Sequence, residues 1–197
     1  MSEVGRPRNA TKADVRLETR DGREVVVKDF GPRSLLVRLL VGRPALRREA
    51  RVYARLAGIT GIPGCRGLEG PDRLVLERAP GTPLDRLRPG EVTAAVFDDL
   101  DRVLGEIHAR GVAIADLHRS NVLVDGERVH VIDFAIARIA RRPDRPGWLV
   151  RRLQELDRHA AARLRARYLG LPEPRPRGLF GALYRAGRAL KKLLRRR

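Results

Sequence analysis

The sequence has few of the residues on which several protein classes depend. It contains one cysteine, Cys65, in 197 residues, which excludes a disulfide framework and a cysteine-rich metal site and is typical of a reducing compartment. Aromatic residues make up 4 % of the chain, which leaves little material for stacking on nucleic-acid bases. No apolar run reaches the roughly 18 residues of a membrane-spanning helix, and residues 1–20 are too polar for a secretory signal. We therefore expect a cytoplasmic or peripheral protein.

Acidic residues are scarce in the last third of the chain. The sequence holds 42 Lys and Arg against 24 Asp and Glu, a net charge of +18. Residues 138–197 carry 19 of the basic residues and 4 of the acidic ones, whereas residues 1–137 are nearly balanced. Because the excess belongs to one segment, the net charge is a weak indicator of nucleic-acid binding.

The run from Ile114 to Ala135, IADLHRSNVLVDGERVHVIDFA, is the most informative stretch of the sequence. It places Asp116, Asn121 and Asp133 around a short apolar hairpin with an Asp-Gly turn. Phosphoryl transfer from ATP needs a carboxylate that takes the hydroxyl proton, and an amide and a second carboxylate that hold Mg²⁺. The pattern predicts Asp116 as catalytic base, and Asn121 and Asp133 as Mg²⁺ ligands.

Residue periodicity and turn residues predict a mixed α+β chain. We predict strands over 15–18, 24–30 and 74–77, helices over 43–57 and 91–110, a hairpin over 121–132, an irregular start over 1–10, a glycine-rich loop over 58–70 and a connector over 80–89. Beyond these, a Pro/Arg linker is predicted over 141–147, a helix over 148–169 and a basic amphipathic helix over 178–197.

In this order the elements resemble the protein-kinase-like fold over about residues 11–137. Residues 116–121 match the D-L-x-x-x-N catalytic loop, and residues 133–135 match D-F-G except for the glycine. The resemblance implies a two-lobed α+β fold with a truncated N-terminal sheet and a minimal C-lobe. Its parts are expected to be a core over 1–137 (N-lobe about 11–79, start of the C-lobe about 80–137), a linker and helix over 138–177, and a terminal helix over 178–197.

The same resemblance implies an ATP site. Lys28 ends the strand VVVK, as the phosphate-binding lysine does in kinases, and Glu49 lies in the next helix, where it could pair with that lysine. The backbone of Glu77 and Ala79 lies where a hinge would contact adenine. The expected cofactors are ATP and Mg²⁺.

Taken singly, these residues have simpler interpretations. Lys28 could be a solvated strand end, Glu49 an exposed helix residue, and the Asp and Asn residues could stabilise turns through local hydrogen bonds. Five polar residues of the required types in the required order favour the shared function. For His118, substrate contact and a structural hydrogen bond remain equal alternatives.

Finer details resemble one branch of this superfamily. Ile114 and Ala115 replace the usual His-Arg, and the stretches KDFGPRSLLVRLLVGRPALRRE, IPG and LVLERAPGTPL resemble the bacterial lipopolysaccharide kinases (Kdo/heptose kinases and RIO-like relatives). That resemblance implies transfer of the γ-phosphate of ATP to a hydroxyl of a sugar or glycolipid. A protein Ser/Thr acceptor is one alternative. A kinase-shaped binding module without turnover is another, because no G-x-G-x-x-G precedes Lys28 and Ala135 replaces a glycine.

The segment 178–197 alternates Leu and Phe with Lys and Arg at helical spacing. One interpretation is an interfacial anchor that binds an anionic membrane surface and holds the protein at the inner membrane face. A helix docked on the C-lobe is the second. RNA binding is a third, but nucleic acid is not the expected partner because aromatic residues are scarce.

Overall fold

A computed structural model describes residues 3–5 and 11–174 of the protein. Its strands are β1 (Glu3–Gly5), β2 (Asp14–Arg20), β3 (Arg23–Asp29), β4 (Cys65–Glu69), β5 (Arg73–Glu77), β6 (Thr82–Pro83), β7 (Val112–Ala113), β8 (Val122–Asp125), β9 (Arg128–Val131) and β10 (Arg138–Ile139). Its helices are α1 (Leu35–Val37), α2 (Arg43–Leu56), α3 (Ala94–Ala109) and α4 (Trp148–Leu169), with a π-helical segment at Arg38–Gly42 and 3₁₀ turns at Leu84–Arg86 and Arg119–Asn121. The predicted α+β class is confirmed.

The N-terminal half is built on a five-stranded antiparallel sheet in the order β1-β2-β3-β5-β4. The β2–β3 hairpin turns at Asp21 and Gly22, which both have positive φ (50° and 71°), as a type I′ turn requires. Lys28 lies on the central strand β3, opposite Val15 on β2 and Leu74 on β5. The catalytic lysine candidate is thus held by strands on both sides.

Two strands of this sheet were not predicted. Residues 1–10 were expected to be irregular, but Glu3–Gly5 pairs with β2. The loop expected over 58–70 contains β4, which pairs with β5 through a bulge next to Gly67. The sheet is therefore larger than the truncated one expected, because short strands without apolar alternation form when a neighbouring edge offers backbone hydrogen bonds.

The first long helix begins earlier than its apolar periodicity predicts. Helix α2 matches the expected segment, but α1 and the π-helical Arg38–Gly42 precede it without a break. Gly42 is required at their junction, because a Cβ there would lie 2.6 Å from Cγ of Phe30. The early start escaped prediction because its side chains do not form a buried stripe: Leu35, Leu36 and Leu40 are 62–69 % exposed.

The C-terminal half packs α3 and α4 together with two small sheets, β6-β8-β9 and β10-β7. Helix α3 begins after Thr93, later than predicted, because Glu91 binds the backbone N–H of Arg88 in a turn before the helix. It ends as predicted, with Gly111 at φ 71°. The expected connector over 80–89 contains β6 and a 3₁₀ turn, and the predicted hairpin is formed by β8 and β9.

A single buried apolar cluster joins the two halves. It runs from Phe30 below the sheet through α2 and α3 to Tyr168 near the end of α4. The Tyr168 hydroxyl donates to the carbonyl oxygen of Leu84, and Arg165 pairs with Asp98 and Asp101 on α3. The predicted helix over 148–169 is confirmed as α4.

Among the described residues, no helix combines the length and apolarity needed to cross a membrane. The helix predicted over 178–197 lies outside the described residues.

Candidate active-site cleft

Lys28 joins two carboxylates that lie far apart in the sequence. Its Nζ lies 2.6 Å from Oε1 of Glu49 on α2 and 2.8 Å from Oδ1 of Asp133, which follows β9. Glu49 is almost fully buried, with 3 % of its side chain exposed, whereas 45 % of the Asp133 side chain is exposed. The structure therefore brings together three of the residues singled out from the sequence.

The ion pairs of Lys28 determine its charge state and that of Asp133. Burial alone would lower the pKa of Lys28, but the charges and hydrogen bonds of Glu49 and Asp133 outweigh it and raise the pKa above its usual value. Burial would raise the pKa of Asp133, but the charge and hydrogen bond of Lys28 lower it below the usual range. At neutral pH, Lys28 is a fixed cation and Asp133 a fixed anion.

The turn at Asp133 is fixed by packing and hydrogen bonds. Asp133 has φ 65°, an uncommon backbone conformation for a residue with a side chain. The next residue, Phe134, is fully buried and packs edge-on against Tyr53 of α2, with ring centroids 5.1 Å apart. Arg48 of α2 donates a hydrogen bond to the carbonyl oxygen of Ala135. Ala135 therefore occupies the usual glycine position in a turn that α2 holds from two sides.

The loop over residues 116–121, the candidate catalytic loop, presents Asp116 to solvent, with 55 % of its side chain exposed. Asn121 is buried, and its Nδ2 donates to the carbonyl oxygen of Asp116 at 3.3 Å. Nε2 of His118 lies 3.5 Å from Oδ2 of Asp116, and Ser120 Oγ contacts Nδ1 of the same ring at 3.0 Å. This leaves the Asp116 carboxylate accessible as a proton acceptor, with an imidazole beside it.

Asp157 anchors this loop, and sequence analysis did not identify it. Its carboxylate is 1 % exposed and accepts hydrogen bonds from the backbone N–H groups of Ile114 (2.8 Å) and Ala115 (2.9 Å). It also lies 3.2 Å from Nε2 of His108. Ala115 has φ 66°, so Asp157 holds the residue before Asp116 in a left-handed conformation.

A sequence signal for Asp157 does exist. The buried positions of α4 include Val150, Gln154, Asp157 and Ala161, spaced by three or four residues. A carboxylate on such a stripe must have partners, because an unpaired buried charge is very unfavourable. Gln154 on the same stripe donates from Nε2 to the carbonyl oxygens of His108 and Val112, both at 3.1 Å.

Lys28, Glu49, Asp116 and Asp133 border a cleft of about 330 Å³. It is lined by Thr11, Lys12, Ala13, Val15, Lys28, Phe30, Val41, Ala45, Leu46, Arg48, Glu49, Asp116, Asp133, Ala135 and Ile136. Thr11–Ala13 directly precede β2 and form part of the cleft rim with Lys28. Sequence analysis missed Lys12 and Arg48, which add two basic side chains to a cleft suited to phosphate groups.

Glu77 and Ala79 do not line this cleft. They border a separate open depression beside β3 with Arg23 and Arg66. The backbone N–H of Glu77 donates to the carbonyl oxygen of Gly64 at 2.8 Å. The N–H of Arg78, the residue between Glu77 and Ala79, donates to the carbonyl oxygen of Glu24 at 3.2 Å, so both N–H groups already have partners. The proposed adenine contacts of Glu77 and Ala79 stay a prediction.

Metal ligands in the cleft are few. Within the described residues, no group of three or more His, Cys, Asp or Glu side chains could hold a metal ion. Asp133 engages Lys28 and the N–H of Ala135 through Oδ1, while its Oδ2 makes no hydrogen bond in the described part of the chain. Asn121, the predicted amide ligand, is buried and does not line the cleft. A single cleft carboxylate oxygen suits a cation that is held mainly by phosphate oxygens and water, as Mg²⁺ usually is.

Comparison with protein-family models gives no match to this chain. The chain is 33 % identical over 181 residues to a probable SapB synthase of Streptomyces coelicolor, an alignment covering 75 % of this chain and 19 % of that protein. It is 30 % identical over 135 residues to a probable bifunctional tRNA threonylcarbamoyladenosine biosynthesis protein of Methanosarcina mazei (66 % and 24 %). It is also 30 % identical over 122 residues to a protein of the same description from Methanosarcina acetivorans (59 % and 21 %).

The chain spans about a fifth to a quarter of the length of these relatives. A synthase and biosynthesis proteins are enzymes, so the similarity is to segments of enzymes.

Proposed function

We propose that the protein is an ATP-dependent phosphotransferase of the protein-kinase-like type. The observation that carries this proposal is the pairing of Lys28 with both Glu49 and Asp133, at 2.6 and 2.8 Å. A lysine held between a helix carboxylate and a metal-binding carboxylate is what phosphate orientation in kinases requires. Because Lys28 and Asp133 are 105 residues apart, turn propensity at either position does not explain their contact.

Lys28, Glu49, Asp116 and Asp133 at the cleft, with the buried Asn121 in the loop beside Asp116, fit the steps of the reaction. Lys28, oriented by Glu49, would bind the α- and β-phosphates, and Oδ2 of Asp133 with Asn121 would hold Mg²⁺. Bound Mg²⁺ would neutralise charge that develops on the phosphates. Asp116 would accept the proton of the acceptor hydroxyl, since its carboxylate is exposed at the same cleft.

For the acceptor, we propose the hydroxyl of a sugar or glycolipid at the inner membrane face. Support comes from the resemblance of residues 28–49 and 74–84 to lipopolysaccharide kinases. The names of the relatives refer to different products, so they favour an enzyme without choosing its acceptor. Attachment of residues 178–197 to an anionic membrane belongs to the same proposal.

The test is transfer of ³²P from γ-labelled ATP to a bacterial membrane extract. We expect the Asp116→Asn variant to lose transfer by a factor of about 100 or more while it keeps nucleotide affinity, because proton acceptance is lost and the phosphate site is not. The matched control is Asp144→Asn, the same change at an exposed aspartate outside the cleft. Unchanged transfer in Asp116→Asn would contradict the proposal. Mg·ATP binding by the wild type without transfer to any acceptor would favour the binding-module alternative.

A further inference from the structure

A second cavity, which Lys28 does not line, adjoins the candidate catalytic loop. It has a volume of about 390 Å³ and lies between the loop and α4. Its wall is formed by Leu117, His118, Arg119, Ala160, Arg163, Leu164, Ala166, Arg167, Leu171 and Glu173. We call it the loop–α4 pocket. Three of its side chains are arginines and one is a glutamate, so its charge is positive.

Of the three arginines, Arg119 and Arg167 have a positive charge available for a ligand. The third, Arg163, pairs with Glu173 at 2.9 Å. Arg119 and Arg167 are both exposed, and neither side chain forms an ion pair or hydrogen bond within residues 11–174. Residues 175–197 contain no Asp or Glu, so no acidic side chain from that segment can neutralise the pocket.

The pocket and the cleft meet at the candidate base. His118 lines the pocket, Asp116 lines the cleft, and Nε2 of His118 lies 3.5 Å from Oδ2 of Asp116. A molecule seated between Arg119 and Arg167 would therefore lie next to the carboxylate that takes the hydroxyl proton. The guanidinium groups suit a phosphate, because they present several N–H donors in a planar arrangement.

We propose that the loop–α4 pocket binds a phosphate group carried by the acceptor and so places the acceptor hydroxyl beside Asp116. This inference rests on the proposed phosphotransferase function and narrows its acceptor to a phosphate-bearing alcohol. In the step itself, the hydroxyl proton passes to Asp116 and the hydroxyl oxygen bonds to the γ-phosphorus. The bond from that phosphorus to the β–γ bridging oxygen breaks, and ADP leaves. The phosphate in the pocket is bound but not altered.

The phosphate can belong to a soluble phosphomonoester or to a lipid headgroup. Binding is measured on the full chain with saturating Mg·ADP, which fills the nucleotide cleft. One arm titrates glycerol 3-phosphate, with glycerol as the uncharged probe, by calorimetry. The other arm uses sedimentation with vesicles of phosphatidylglycerol, and vesicles of phosphatidylcholine serve as the zwitterionic probe.

The test variant is the double substitution Arg119→Ala and Arg167→Ala. Two single substitutions outside the pocket, Arg151→Ala and Glu127→Ala, are the controls. Arg151 is an exposed arginine at the other end of α4. We expect the double variant to weaken binding of glycerol 3-phosphate, of phosphatidylglycerol vesicles, or of both, by about tenfold or more. The control variants should stay within about twofold, and Mg·ADP affinity should not change.

The arm that responds identifies the source of the phosphate. Equal affinity of wild type and double variant in both arms would overturn the proposal, as would equal weakening by Arg151→Ala. Mg·ADP binding is measured separately. A chain that binds the phosphate probe through Arg119 and Arg167 but binds no nucleotide would therefore contradict the phosphotransferase function and leave the anion site standing.

Discussion

Lys28 and Glu49 form an ion pair in which one member, Glu49, is almost completely buried. Removal of Lys28 alone leaves that carboxylate without its cation. We expect Lys28→Met to lower the free energy of unfolding by about 3 kcal/mol, because an uncompensated buried charge is costly. The measurement is urea unfolding at pH 7, followed by circular dichroism.

The double variant Lys28→Met with Glu49→Gln separates stability from function. It removes both charges, so much of the stability lost in Lys28→Met should return. Phosphoryl transfer should stay absent in both variants, since neither has a cation at this position to bind the phosphates. Recovery of transfer in the double variant would contradict the role of Lys28.

Asp157 holds the start of the candidate catalytic loop without lining the cleft. In Asp157→Asn, one side-chain oxygen could still accept a hydrogen bond, but the amide NH₂ would face the second backbone N–H of Ile114 or Ala115. We expect the rate constant for transfer to fall by about 100-fold, because small displacements of a catalytic group have effects of this size.

The KM for ATP should change little in Asp157→Asn, because Lys28 and Asp133 are not attached to Asp157. Glu155→Gln, the corresponding change at an exposed position of α4, is the control and should leave both constants unchanged. A proportional loss of nucleotide affinity in Asp157→Asn would indicate general disruption of the fold instead of loop positioning.

At the residue scale, sequence patterns singled out Lys28, Asp116 and Asp133, which the structure brings to one cleft, and missed residues that hold the surrounding backbone. The three stand out because the proposed phosphoryl transfer requires these residue types in this order. Asp157 and Arg48 act through backbone atoms that lie 42 and 87 positions away in the chain. No local pattern records such a contact, and only the buried stripe of α4 hints at Asp157.

At the scale of elements, Asp72 fastens the start of the long helical segment to the β4–β5 turn. Its carboxylate accepts hydrogen bonds from Arg38 in the π-helical segment and from Arg43 at the start of α2. The hydrogen bonds from these two guanidinium groups outweigh burial and hold the pKa of Asp72 well below its usual value. The helix is thereby attached to the sheet at the end nearest Phe30.

This depressed pKa predicts how stability depends on pH. A carboxyl whose pKa is lower in the folded than in the unfolded state stabilises the fold above its unfolded pKa, and that contribution is lost as pH falls toward the folded pKa. We expect the melting temperature of the wild type to exceed that of Asp72→Asn by roughly 2–6 °C at pH 7. This difference in melting temperature should become smaller below about pH 4. Calorimetric scans between pH 2 and about 7 measure the difference. A difference that grows in acid would contradict the stabilising role of the Asp72 carboxylate.

Element prediction succeeded where periodicity and turn residues agree. Helix α3 combines an apolar stripe with a glycine just beyond its end. The β8–β9 hairpin combines apolar alternation with an Asp-Gly turn. Strand β4, CRGLE, has neither alternation nor a β-branched residue, and β1 has three residues. Each pairs with the next strand along the chain, β4 with β5 and β1 with β2, so the partner strand forms them and their own residues give little strand signal.

At the scale of the molecule, the cleft is the meeting place of two halves of the chain. Lys28 comes from the N-terminal sheet and Asp133 from the C-terminal half, yet their side-chain atoms are 2.8 Å apart. The buried cluster between Phe30 and Tyr168 holds these halves together below the cleft. A ligand that contacts both Lys28 and Asp133 should therefore stabilise the molecule as a whole.

Mg·ADP should raise the melting temperature of the wild type in a single transition. At about 100 times the dissociation constant, ligand binding contributes about 2.7 kcal/mol, which corresponds to a shift of roughly 5–10 °C for a chain of this size. Asp133→Asn removes the carboxylate that contacts Lys28 and that we propose as a Mg²⁺ ligand, so its shift should be much smaller and independent of Mg²⁺. Asp144→Asn should respond like the wild type. A shift in Asp133→Asn equal to that of the wild type, or one that affects only part of the unfolding transition, would mean that nucleotide does not bridge the two halves through Asp133.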